Sequence, residues 1–572
     1  MGKADPAVPV IPISYGRTQV IETGKWSSLK PQPLTMIAPC REACPVGTDI
    51  PLVLHFIERG RYAEALSAVL KENPFPGVCG RVCFHPCEAS CNRAQYDEPV
   101  SIQMLERFVS SIKPEPVSLI PAPNQAPQRI AVIGAGPAGL SCAYFLALLG
   151  HYATVFEAKK EPGGVMRWGI PRFRLPKPVL KKEIGRILSL GVQLRTNCRV
   201  GKDITFEELD KFDAVFLSPG AGINSLLSIE GENLEGVWNG GEFLERINAL
   251  EKVRLGKTTV VIGGGNTAMD VARAALRLGS KVTIAYRRTR EAMPAIPDEI
   301  HEAEEEGVAF QYLLQPVKIR RIRGKKLRVT FQCMKSGAPD KSNRPRVLPV
   351  KGKYVTLEAD SVISAVGEIV DLSWIPEKLV KNGLVETGGD PRIFAGGDAV
   401  AQPRTIADAI AAAKRAAISM DLLFRGNQGR EALAGFRAGT KGSVSLDAYL
   451  RFREEGKWPE AKEVVSDGRI NTLYFEKSRR VVAGKLQRDK RRKTYREVNL
   501  APDEARAVYS ASRCYSCGQC NACYNCFYFC PEGAIAINRD ERTRTVDLAH
   551  CKGCGTCARA CPRNAVIMKD MV

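Results

Sequence analysis

Histidine and tryptophan are scarce in this chain, with 5 of each among 572 residues. Because imidazole is so rare, metal chemistry here must rest on sulfur, and cysteine is plentiful at 19 residues. Disulfide scaffolds are short secreted domains, whereas these thiols fall in clusters with metal-ligand spacing along a long chain. The cysteine usage therefore indicates a reducing compartment, and we expect a cytoplasmic protein.

Segments for export or membrane insertion are also lacking. The start, MGKADPAVPVIPISYG, has neither the charged n-region nor the apolar h-region of a secretory signal, so we expect no export. Residues 130–150 have about the length and apolarity of a membrane span. However, three glycines and a proline lie in the first ten of these residues, which indicates a buried strand, a tight turn and a helix instead.

The composition, 44% apolar and 25% charged, is that of an ordinary globular protein, and the length predicts about three to five structural units. The formal net charge is +21, and lysine and arginine crowd residues 477–496. Nucleic-acid binding would need a recognition helix or aromatic platforms, which are not visible, so we expect no nucleic-acid partner. An acidic protein partner or a solvated basic linker explains the basic run better.

Eight cysteines near the carboxyl end form two consecutive runs of the pattern C-x2-C-x2-C-x3-C-P. In bacterial ferredoxins with this pattern, the fourth cysteine of each run ligates the other cluster. The first predicted [4Fe-4S] site therefore comprises Cys520, Cys523, Cys526 and Cys561, and the second comprises Cys551, Cys554, Cys557 and Cys530. Zinc also binds C-x2-C pairs, but three closely spaced thiols and a fourth before proline suit a cubane.

Two further thiols, Cys514 and Cys517, stand just upstream of these runs. The proline rule does not assign them, so they are spare thiols, lid residues or part of an additional site. Three other cysteines are isolated, and we expect them to be small buried apolar residues: Cys142, Cys198 and Cys333.

A complete dinucleotide fingerprint occupies residues 129–158, which read as strand, glycine turn, helix and strand. The turn residues are Gly134, Gly136, Pro137, Ala138 and Gly139. The glycines allow a tight turn, approach of the backbone to a pyrophosphate, and packing of helix on strand. Glu157 follows where a carboxylate binds the ribose 2′-OH and repels a 2′-phosphate, so FAD or NAD is favoured over NADP.

A second fingerprint begins at residue 258 and has the opposite selector. Its turn residues are Gly263, Gly265, Asn266, Thr267 and Ala268. Arg287 and Arg288 replace the acid after the next strand, and guanidinium groups pair with a 2′-phosphate through charge-assisted hydrogen bonds. The second site is therefore predicted to bind NADPH, which leaves FAD for the first.

The segment IFAGGDA, residues 393–399, returns the chain to the first nucleotide domain. Gly397 and Asp398 lie near the end of this segment, and a helix is expected over residues 405–423, opened by Thr405. Asp398 can hold the ribityl or pyrophosphate part of the flavin, although taken alone it could be a helix-capping residue.

Six thiols lie near the amino end, among helical segments such as 52–71: Cys40, Cys44, Cys79, Cys83, Cys87 and Cys91. Gaps of three residues put successive thiols about one turn apart if the segment is helical. One cluster takes four ligands and two take eight, so six thiols require either non-cysteine ligands or spare thiols.

Several longer motifs resemble the small (beta) subunit of NADPH-dependent glutamate synthase and its relatives. These relatives include the flavin half of dihydropyrimidine dehydrogenase and the large subunit of the bifurcating NADH-dependent ferredoxin:NADP oxidoreductase. The motifs are CREACP, NPFPGVCGRVC, HPCEASCNR, GGVMRWGIPRFRLPK, YRRTREAMPA and FAGGDA, within residues 35–425. The resemblance implies a helical iron–sulfur domain packed on an FAD domain, with Gly164 and Arg167 at the flavin site.

The resemblance also implies ligands for the amino-terminal thiols. One [4Fe-4S] cluster would use Cys44, Cys83, Cys87 and Glu106, which is the residue at the matching non-cysteine position. Cys40 and Cys91 match two ligands of a second cluster. Gln32 and Thr35 stand where two further cysteines are expected, so one or two amino-terminal clusters are predicted, with Cys79 as a possible substitute ligand.

We therefore predict an α/β chain with a helical amino-terminal iron–sulfur domain, two nested Rossmann-like domains and a ferredoxin-like α+β domain. The predicted boundaries are 1–125 for the amino-terminal domain, 126–250 and 389–425 for the FAD domain, 251–388 for the NADPH domain, 426–513 for a linker or docking segment, and 514–572 for the ferredoxin domain. Within the linker, residues 446–465 look helical.

The predicted function is electron transfer between NADPH and a protein partner, through FAD and [4Fe-4S] clusters. The partner would be another redox subunit or ferredoxin, and the cofactors carry the chemistry, so no catalytic acid or base is required. One alternative is reduction of NADP by ferredoxin, and another is a non-catalytic wiring or scaffold subunit. A complete glutamate synthase is excluded because there is no amidotransferase domain, and a flavin disulfide reductase because no C-x4-C pair follows the FAD turn.

Overall fold

A computed structural model of the chain describes residues 22–112, 119–339, 344–387, 390–401, 403–426, 430–459, 463–539 and 542–571. The predicted domain boundary at 388/389 and the segment examined for a secretory signal lie outside the described residues.

Helices occur along the whole described chain. They are α1 (Pro39–Ala43), α2 (Ile50–Glu58), α3 (Tyr62–Leu70), α4 (Pro76–Val82), α5 (Pro86–Ala89), α6 (Ile102–Ser111), α7 (Pro137–Leu148), α8 (Gly164–Trp168), α9 (Lys177–Leu188), α10 (Gly240–Asn248), α11 (Asn266–Arg277), α12 (Pro297–Glu306), α13 (Ile406–Phe424), α14 (Arg430–Gly435), α15 (Leu446–Glu455), α16 (Arg488–Arg491), α17 (Glu504–Ser512), α18 (Asn525–Tyr528) and α19 (Thr556–Arg559).

Strands are shorter, apart from two long antiparallel ones. They are β1 (Leu29–Pro33), β2 (Arg129–Ile133), β3 (Tyr152–Phe156), β4 (Gln193–Arg195), β5 (Ala214–Leu217), β6 (Ile223–Asn224), β7 (Val237–Asn239), β8 (Thr258–Ile262), β9 (Lys281–Tyr286), β10 (Ala309–Tyr312), β11 (Leu314–Arg321), β12 (Leu327–Pro339), β13 (Pro345–Ala359), β14 (Ser361–Ser364), β15 (Glu368–Ile369), β16 (Val380–Lys381), β17 (Leu384–Val385), β18 (Ile393–Ala395), β19 (Ile535–Asn538), β20 (Thr543–Val546) and β21 (Val566–Asp570).

The first nucleotide domain is built on a parallel sheet of order β18-β5-β2-β3-β4. Its central strands are continuous apolar runs, as expected when helices cover both faces of a parallel sheet. The glycine-turn helix α7 is buried along almost its whole length, and it packs in one core with the returning helix α13. Because β18 pairs with β5, the chain re-enters this sheet after a long excursion, as IFAGGDA predicts.

The excursion forms the second nucleotide domain. Its parallel sheet has the order β10-β9-β8-β14-β7, and an antiparallel sheet of order β11-β12-β13 adjoins it. In each of the two nucleotide domains, a glycine turn follows a central strand of the parallel sheet, where ligands bind in open α/β sheets. The predicted pair of nested Rossmann-like domains is confirmed.

The amino-terminal domain is helical, from α1 to α6. The predicted helical stretch 52–71 is divided into α2 and α3 at Gly60, whose φ of +70° breaks the helix. The thiols from 79 to 91 do not share one helix. Cys79 lies in α4 and Cys83 directly follows it, whereas Cys87 lies in α5 and Cys91 follows that helix after one intervening residue.

Described residues of the segment 426–513 pack against several domains. Val498 donates its N–H to the carbonyl of Phe173 at 2.9 Å, and Glu497 pairs with Arg81 at 2.7 Å. The predicted helix over 446–465 is too long, since α15 ends before Gly456, which has a φ of +70° and supplies the left-handed residue that terminates a helix.

Part of the basic run at 477–496 meets acidic residues of the same chain. Arg480 pairs with Glu88 at 2.5 Å, and Arg491 pairs with Glu305 at 2.7 Å. Part of the positive charge that the sequence suggests is available for a partner or for solvent is therefore neutralised within the chain.

The ends of the described chain meet in one sheet. Strand β1 pairs antiparallel with β21, in a register that places Leu29 opposite Asp570. The carboxyl-terminal domain also contains the hairpin of β19 and β20, with α18 and α19 bearing cysteines. In the described parts of the chain, each helix is too short or too polar to cross a membrane.

Candidate functional site

The first glycine turn has the shape that a pyrophosphate needs. Gly134 has a φ of +97°, and a Cβ there would lie 2.4 Å from the carbonyl oxygen of Ser218. A Cβ on Gly139 would lie 1.8 Å from the carbonyl oxygen of Gly134, so only glycine lets α7 pack this closely. At Gly136 the nearest atom would be 3.9 Å away, which leaves the backbone open on the side where a phosphate approaches.

Glu157 stands at the end of β3, beside this turn. Its Oε2 accepts the N–H of Ala135 at 2.8 Å and its Oε1 accepts the N–H of Lys159 at 2.8 Å. The residue is 8% exposed. The structure therefore brings the predicted ribose-binding carboxylate to the glycine turn.

The return segment also reaches the turn. A Cβ on Gly397, whose φ is +72°, would lie 3.0 Å from the Cβ of Ala138, in the first turn of α7. Burial raises the pKa of the neighbouring Asp398. Thr405 caps α13, with its hydroxyl accepting the N–H of Asp408 at 3.1 Å. These contacts fit an FAD site shared between the two parts of the first domain.

Gly164 lies against the glycine turn, and Arg167 lies three residues further along α8. A Cβ on Gly164 would lie 2.7 Å from the Cα of Gly136, so the two backbones approach closely. Arg167 donates from Nε to the carbonyl of Pro162 at 2.6 Å and pairs with Glu161 at 2.5 Å.

Lys177 is a residue that the sequence reasoning did not select, although it ends the motif GGVMRWGIPRFRLPK. Its ammonium donates to the carbonyls of Met166 at 3.1 Å and Ile170 at 2.7 Å. Burial, followed by the charges of Arg167 and Arg172, lowers its pKa to about 7. Lysine after proline at a helix start is a weak sequence signal, and only the fold shows that the amine is enclosed.

The second glycine turn repeats the first. A Cβ on Gly263 would lie 2.3 Å from the carbonyl oxygen of Ala365, whereas at Gly265 the nearest atom would be 4.0 Å away. Asn266 accepts the N–H of Ile296 on its Oδ1 at 2.9 Å, and Thr267 is exposed. This turn also offers open backbone at the start of a helix, α11.

The predicted 2′-phosphate selectors follow β9 at the same end of the sheet. Arg287 is exposed, so its guanidinium is accessible to a nucleotide. Arg288 is half-buried and donates from Nε to the carbonyl of Pro345 at 3.0 Å. The arrangement fits a dinucleotide with a 2′-phosphate.

One cavity in the amino-terminal domain collects most of the predicted cluster ligands. It measures about 580 Å³, counting its opening to solvent, and Cys44, Cys79, Cys83, Cys87 and Glu106 line it. Burial raises the pKa of the Glu106 carboxyl to about 8, and its Oε1 accepts a hydrogen bond from Asn73 at 2.8 Å. The thiol and carboxyl groups lie around one shared space, as the ligands of a cubane would.

The thiols of this cavity are suited to metal ligation. Burial raises the pKa of Cys83 well above its ordinary value, so the free thiol stays protonated, whereas a coordinating metal removes the proton. The sulfur of Cys83 already accepts the N–H of His85 at 3.3 Å. Hydrogen bonds to cluster sulfurs are one means by which proteins tune such sites.

Two further cavities lie in the carboxyl-terminal domain. One measures about 340 Å³ with its opening and is lined by Cys530, Cys551, Cys554 and Cys557. The other measures about 310 Å³ and is lined by Cys520, Cys523, Cys526 and Cys561. The thiols are thus grouped in the two sets that the crossover rule predicts. Within the described ranges, no three His, Cys, Asp or Glu side chains converge tightly enough for a single metal ion.

The remaining cysteines divide into two kinds. Cys142 is buried as expected, whereas Cys198 and Cys333 are half-buried. Cys40 and Cys91 pack in a core that also contains Cys514 and Cys517. Because Cys79 lines the first cavity, it is not placed as a substitute ligand beside Cys40 and Cys91.

Three protein families match this chain in succession. Dihydropyrimidine dehydrogenase domain II, with a 4Fe-4S cluster, matches residues 35–116. The pyridine nucleotide-disulphide oxidoreductase family matches residues 128–416, about half of the chain. The 4Fe-4S dicluster domain matches residues 519–565.

Individual relatives share most of this arrangement. The beta subunit of an NADP(+)-dependent formate dehydrogenase from Moorella thermoacetica is 39% identical, across 68% of this chain and 60% of that protein. The beta subunit of an NADPH-Fe(3+) oxidoreductase from Geobacter sulfurreducens is 35% identical, across 84% of this chain and 75% of that protein. The small chain of NADPH glutamate synthase from Escherichia coli is 35% identical, across 66% of this chain and 87% of that protein.

The glycine turns, the thiol-lined cavities and these matches agree with one another. The chain therefore belongs to the pyridine nucleotide-disulphide oxidoreductase family and, within it, to the FAD- and NADPH-dependent iron–sulfur oxidoreductases similar to the glutamate synthase small chain.

Proposed function

We propose that this chain is the NADPH-oxidoreductase subunit of a larger redox complex and moves electrons between NADPH and a partner protein. One observation carries the proposal: a single chain combines two glycine turns of opposite selector charge with three cavities lined by cysteine. Such a combination is typical of proteins that connect a two-electron donor to one-electron carriers.

Each cofactor has its own set of residues. FAD would be held by the turn from Gly134 to Gly139, by Glu157 and by Asp398, and NADPH by the turn at Gly263 with Arg287 and Arg288. The three cavities would each hold a [4Fe-4S] cluster. When bound, FAD supplies hydride and one-electron chemistry, and the clusters supply one-electron chemistry.

The protein itself contributes position and environment. The start of each glycine-turn helix presents unpaired N–H groups, which favour phosphate. Glu157 would discriminate against a 2′-phosphate at the first turn by charge repulsion, whereas Arg287 would attract one at the second. The two nucleotides would thereby be assigned to different domains.

A partner subunit is supported by the relatives, two of which are beta subunits by name. The first of them extends beyond the matched region, because this chain spans 60% of its length. Exposed basic side chains from Arg488 to Arg496 remain after the internal ion pairs are formed, and we propose that they dock an acidic surface of the partner.

The experiment is turnover by the isolated chain. Protein purified without oxygen should oxidise NADPH in the presence of an artificial one-electron acceptor, and NADH should be a much poorer donor. The scaffold alternative predicts protein that contains flavin and iron but does not oxidise NADPH. That result would overturn the proposal.

A further inference from the structure

Four thiols that lie far apart in the sequence share one core of the structure. Cys40 lies in α1, Cys91 follows α5, and Cys514 and Cys517 follow α17. Cys40 and Cys517 are each 8% exposed. Cys91 and Cys514 are half-buried and pack against the same core.

Hydrogen-bond donors already face two of these sulfurs. The N–H of Ser516 lies 3.3 Å from the sulfur of Cys514, and the side-chain amide of Asn92 lies 3.6 Å from that of Cys517. The first contact matches the one at Cys83, where His85 donates to sulfur from two residues further on. The environment of Cys514 therefore resembles that of a predicted cluster ligand.

The loop that carries Cys514 and Cys517 is held firmly against the amino-terminal domain. Gly518 has a φ of +70° and accepts the N–H of Met36 at 3.0 Å. A Cβ there would lie 2.6 Å from the Cβ of Met36, so the close approach requires glycine.

Two buried arginines anchor the segment just before the loop. Arg513 pairs with Asp97 at 3.2 Å, and its carbonyl accepts a hydrogen bond from Arg93 at 2.8 Å. Both arginines are 3% exposed. Buried arginines persist only where they are paired, and this contact joins the residue before Cys514 to the residue two positions after Cys91.

Gln32 and Thr35, which stand where the family pattern expects cysteine, have other surroundings. Gln32 lies in β1 opposite Ile567 of β21, and its amide lies 3.4 Å from the sulfur of Met571. Thr35 is exposed. Strand β1 therefore pairs with the carboxyl-terminal strand β21, while the loop with Cys514 and Cys517 packs in the same core as Cys40.

The six amino-terminal thiols can now be divided. In each of two C-x3-C pairs, one thiol lines the first cavity and the other does not: Cys44 but not Cys40, and Cys87 but not Cys91. Two thiols are then missing from the second group, and the loop at 514–517 provides two.

We propose that Cys40, Cys91, Cys514 and Cys517 hold a further [4Fe-4S] cluster, with half of its ligands from each end of the chain. This inference rests on the proposed function and adds one cluster to it. The C-x2-C spacing of the later pair is that of the ferredoxin runs.

The position of this site is between the other predicted clusters. Cys517 precedes the ferredoxin ligand Cys520 by three residues, which span at most about 11 Å. Arg542 donates to the carbonyl of Cys520 at 2.8 Å. On the other side, α5, which carries Cys87 of the first cavity, packs against α1, which carries Cys40. The site would therefore link the nucleotide half of the chain to the ferredoxin domain.

Native mass spectrometry and metal analysis of anaerobically purified protein test the proposal. Wild-type chain should contain four cubanes, or about 16 iron and 16 sulfide. A chain with three cubanes and bound FAD would overturn this inference and leave the proposed function standing. A chain without iron would overturn both. Zinc bound to the four thiols would overturn this inference but not the proposed function.

Variants then assign the cluster to its ligands. C514S/C517S should lose about 4 iron and 4 sulfide and retain FAD. The C40S/C91S variant should lose the same electron paramagnetic resonance signal, and C333S, at a half-buried isolated cysteine, should lose none. Unchanged iron in C514S/C517S, or different signals lost from the two double variants, would overturn the proposal. If either variant does not fold, the wild-type count of four or three cubanes decides.

Discussion

Arg174 and Asp270 form an ion pair of 2.7 Å in which the two side chains are only 7% and 6% exposed. Arg174 belongs to the motif that follows the first glycine turn, and Asp270 lies in α11 of the second nucleotide domain. Arg174 also pairs with Glu299 at 2.7 Å. The two nucleotide domains are therefore joined by a buried charged contact.

Removal of one partner should be costly, because it leaves buried carboxylates unpaired. We expect Arg174→Met to destabilise the folded protein by about 3–5 kcal/mol. The measurement is the midpoint of denaturation, monitored by the fluorescence of the flavin that is released on unfolding. Arg246→Met is the matched control, since Arg246 and Glu242 form an exposed pair, with 43% and 48% exposure. Equal shifts for both variants would contradict the role of burial.

The basic pair after β9 should determine which nicotinamide nucleotide is used. We expect Arg287→Ala with Arg288→Ala to weaken NADPH binding by roughly 10- to 100-fold and to leave NADH binding nearly unchanged, since a charged hydrogen bond is worth about 1.5–3 kcal/mol. Arg290→Ala is the control, because Arg290 pairs with Glu304 at 2.9 Å. The measurement is the dissociation constant for each nucleotide. An equal loss of affinity for NADPH and NADH would show that the pair does not contact the 2′-phosphate.

The first glycine turn should tolerate no side chain where α7 meets the strand. We expect Gly139→Ala to lose FAD, because the added Cβ would lie 1.8 Å from the carbonyl oxygen of Gly134. Gly185→Ala, in α9, adds a methyl group with no atom within 4 Å and should retain FAD. The flavin-to-protein ratio after purification is the measurement. Full flavin content in Gly139→Ala would contradict the proposed site.

The enclosed amine of Lys177 should make stability depend on pH. Its pKa falls from 10.5 to about 7 on folding, so the unfolded chain binds more protons between these values. Stability should therefore rise with pH from about 7 to 10. Lys177→Met should lack this contribution, whereas Lys181→Met, exposed in the same helix, should retain it. The measurement is the unfolding temperature across this pH range. If the unfolding temperatures of wild type and Lys177→Met changed in parallel with pH, the prediction would be wrong.

Glu106 and Cys79 line the same cavity, and their variants should differ. We expect Glu106→Ala to alter the electron paramagnetic resonance signal of one cluster and Cys79→Ser to leave it unchanged, because the family resemblance assigns the fourth ligand position to Glu106. The reverse outcome would make Cys79 the ligand.

Features encoded by local spacing could be predicted from the sequence. The turns at Gly134 and Gly263 each depend on a few adjacent residues. The spacing within the ferredoxin runs indicates which cysteines share a cluster. Helix α15 was predicted too long because its apolar residues continue past Gly456, the residue that ends the helix. Its left-handed conformation is a local signal that outweighs the pattern.

Contacts between distant parts of the chain could not be predicted in this way. The pairing of Leu29 with Asp570 and the shared core of Cys40 and Cys514 join residues more than 450 positions apart, and neither pair has a local signature. The segment 426–513 looked like a linker because it carries no motif. Its role depends on single contacts, such as that of Glu497 with Arg81.

Anaerobic titration of the purified chain with NADPH, followed by visible absorption, is the most direct test of electron entry from NADPH. We expect the absorption of bound flavin to bleach at about one equivalent and the cluster absorption to fall as more NADPH is added. Protein that contains flavin and iron–sulfur clusters, but whose spectrum NADPH leaves unchanged, would contradict the proposed function.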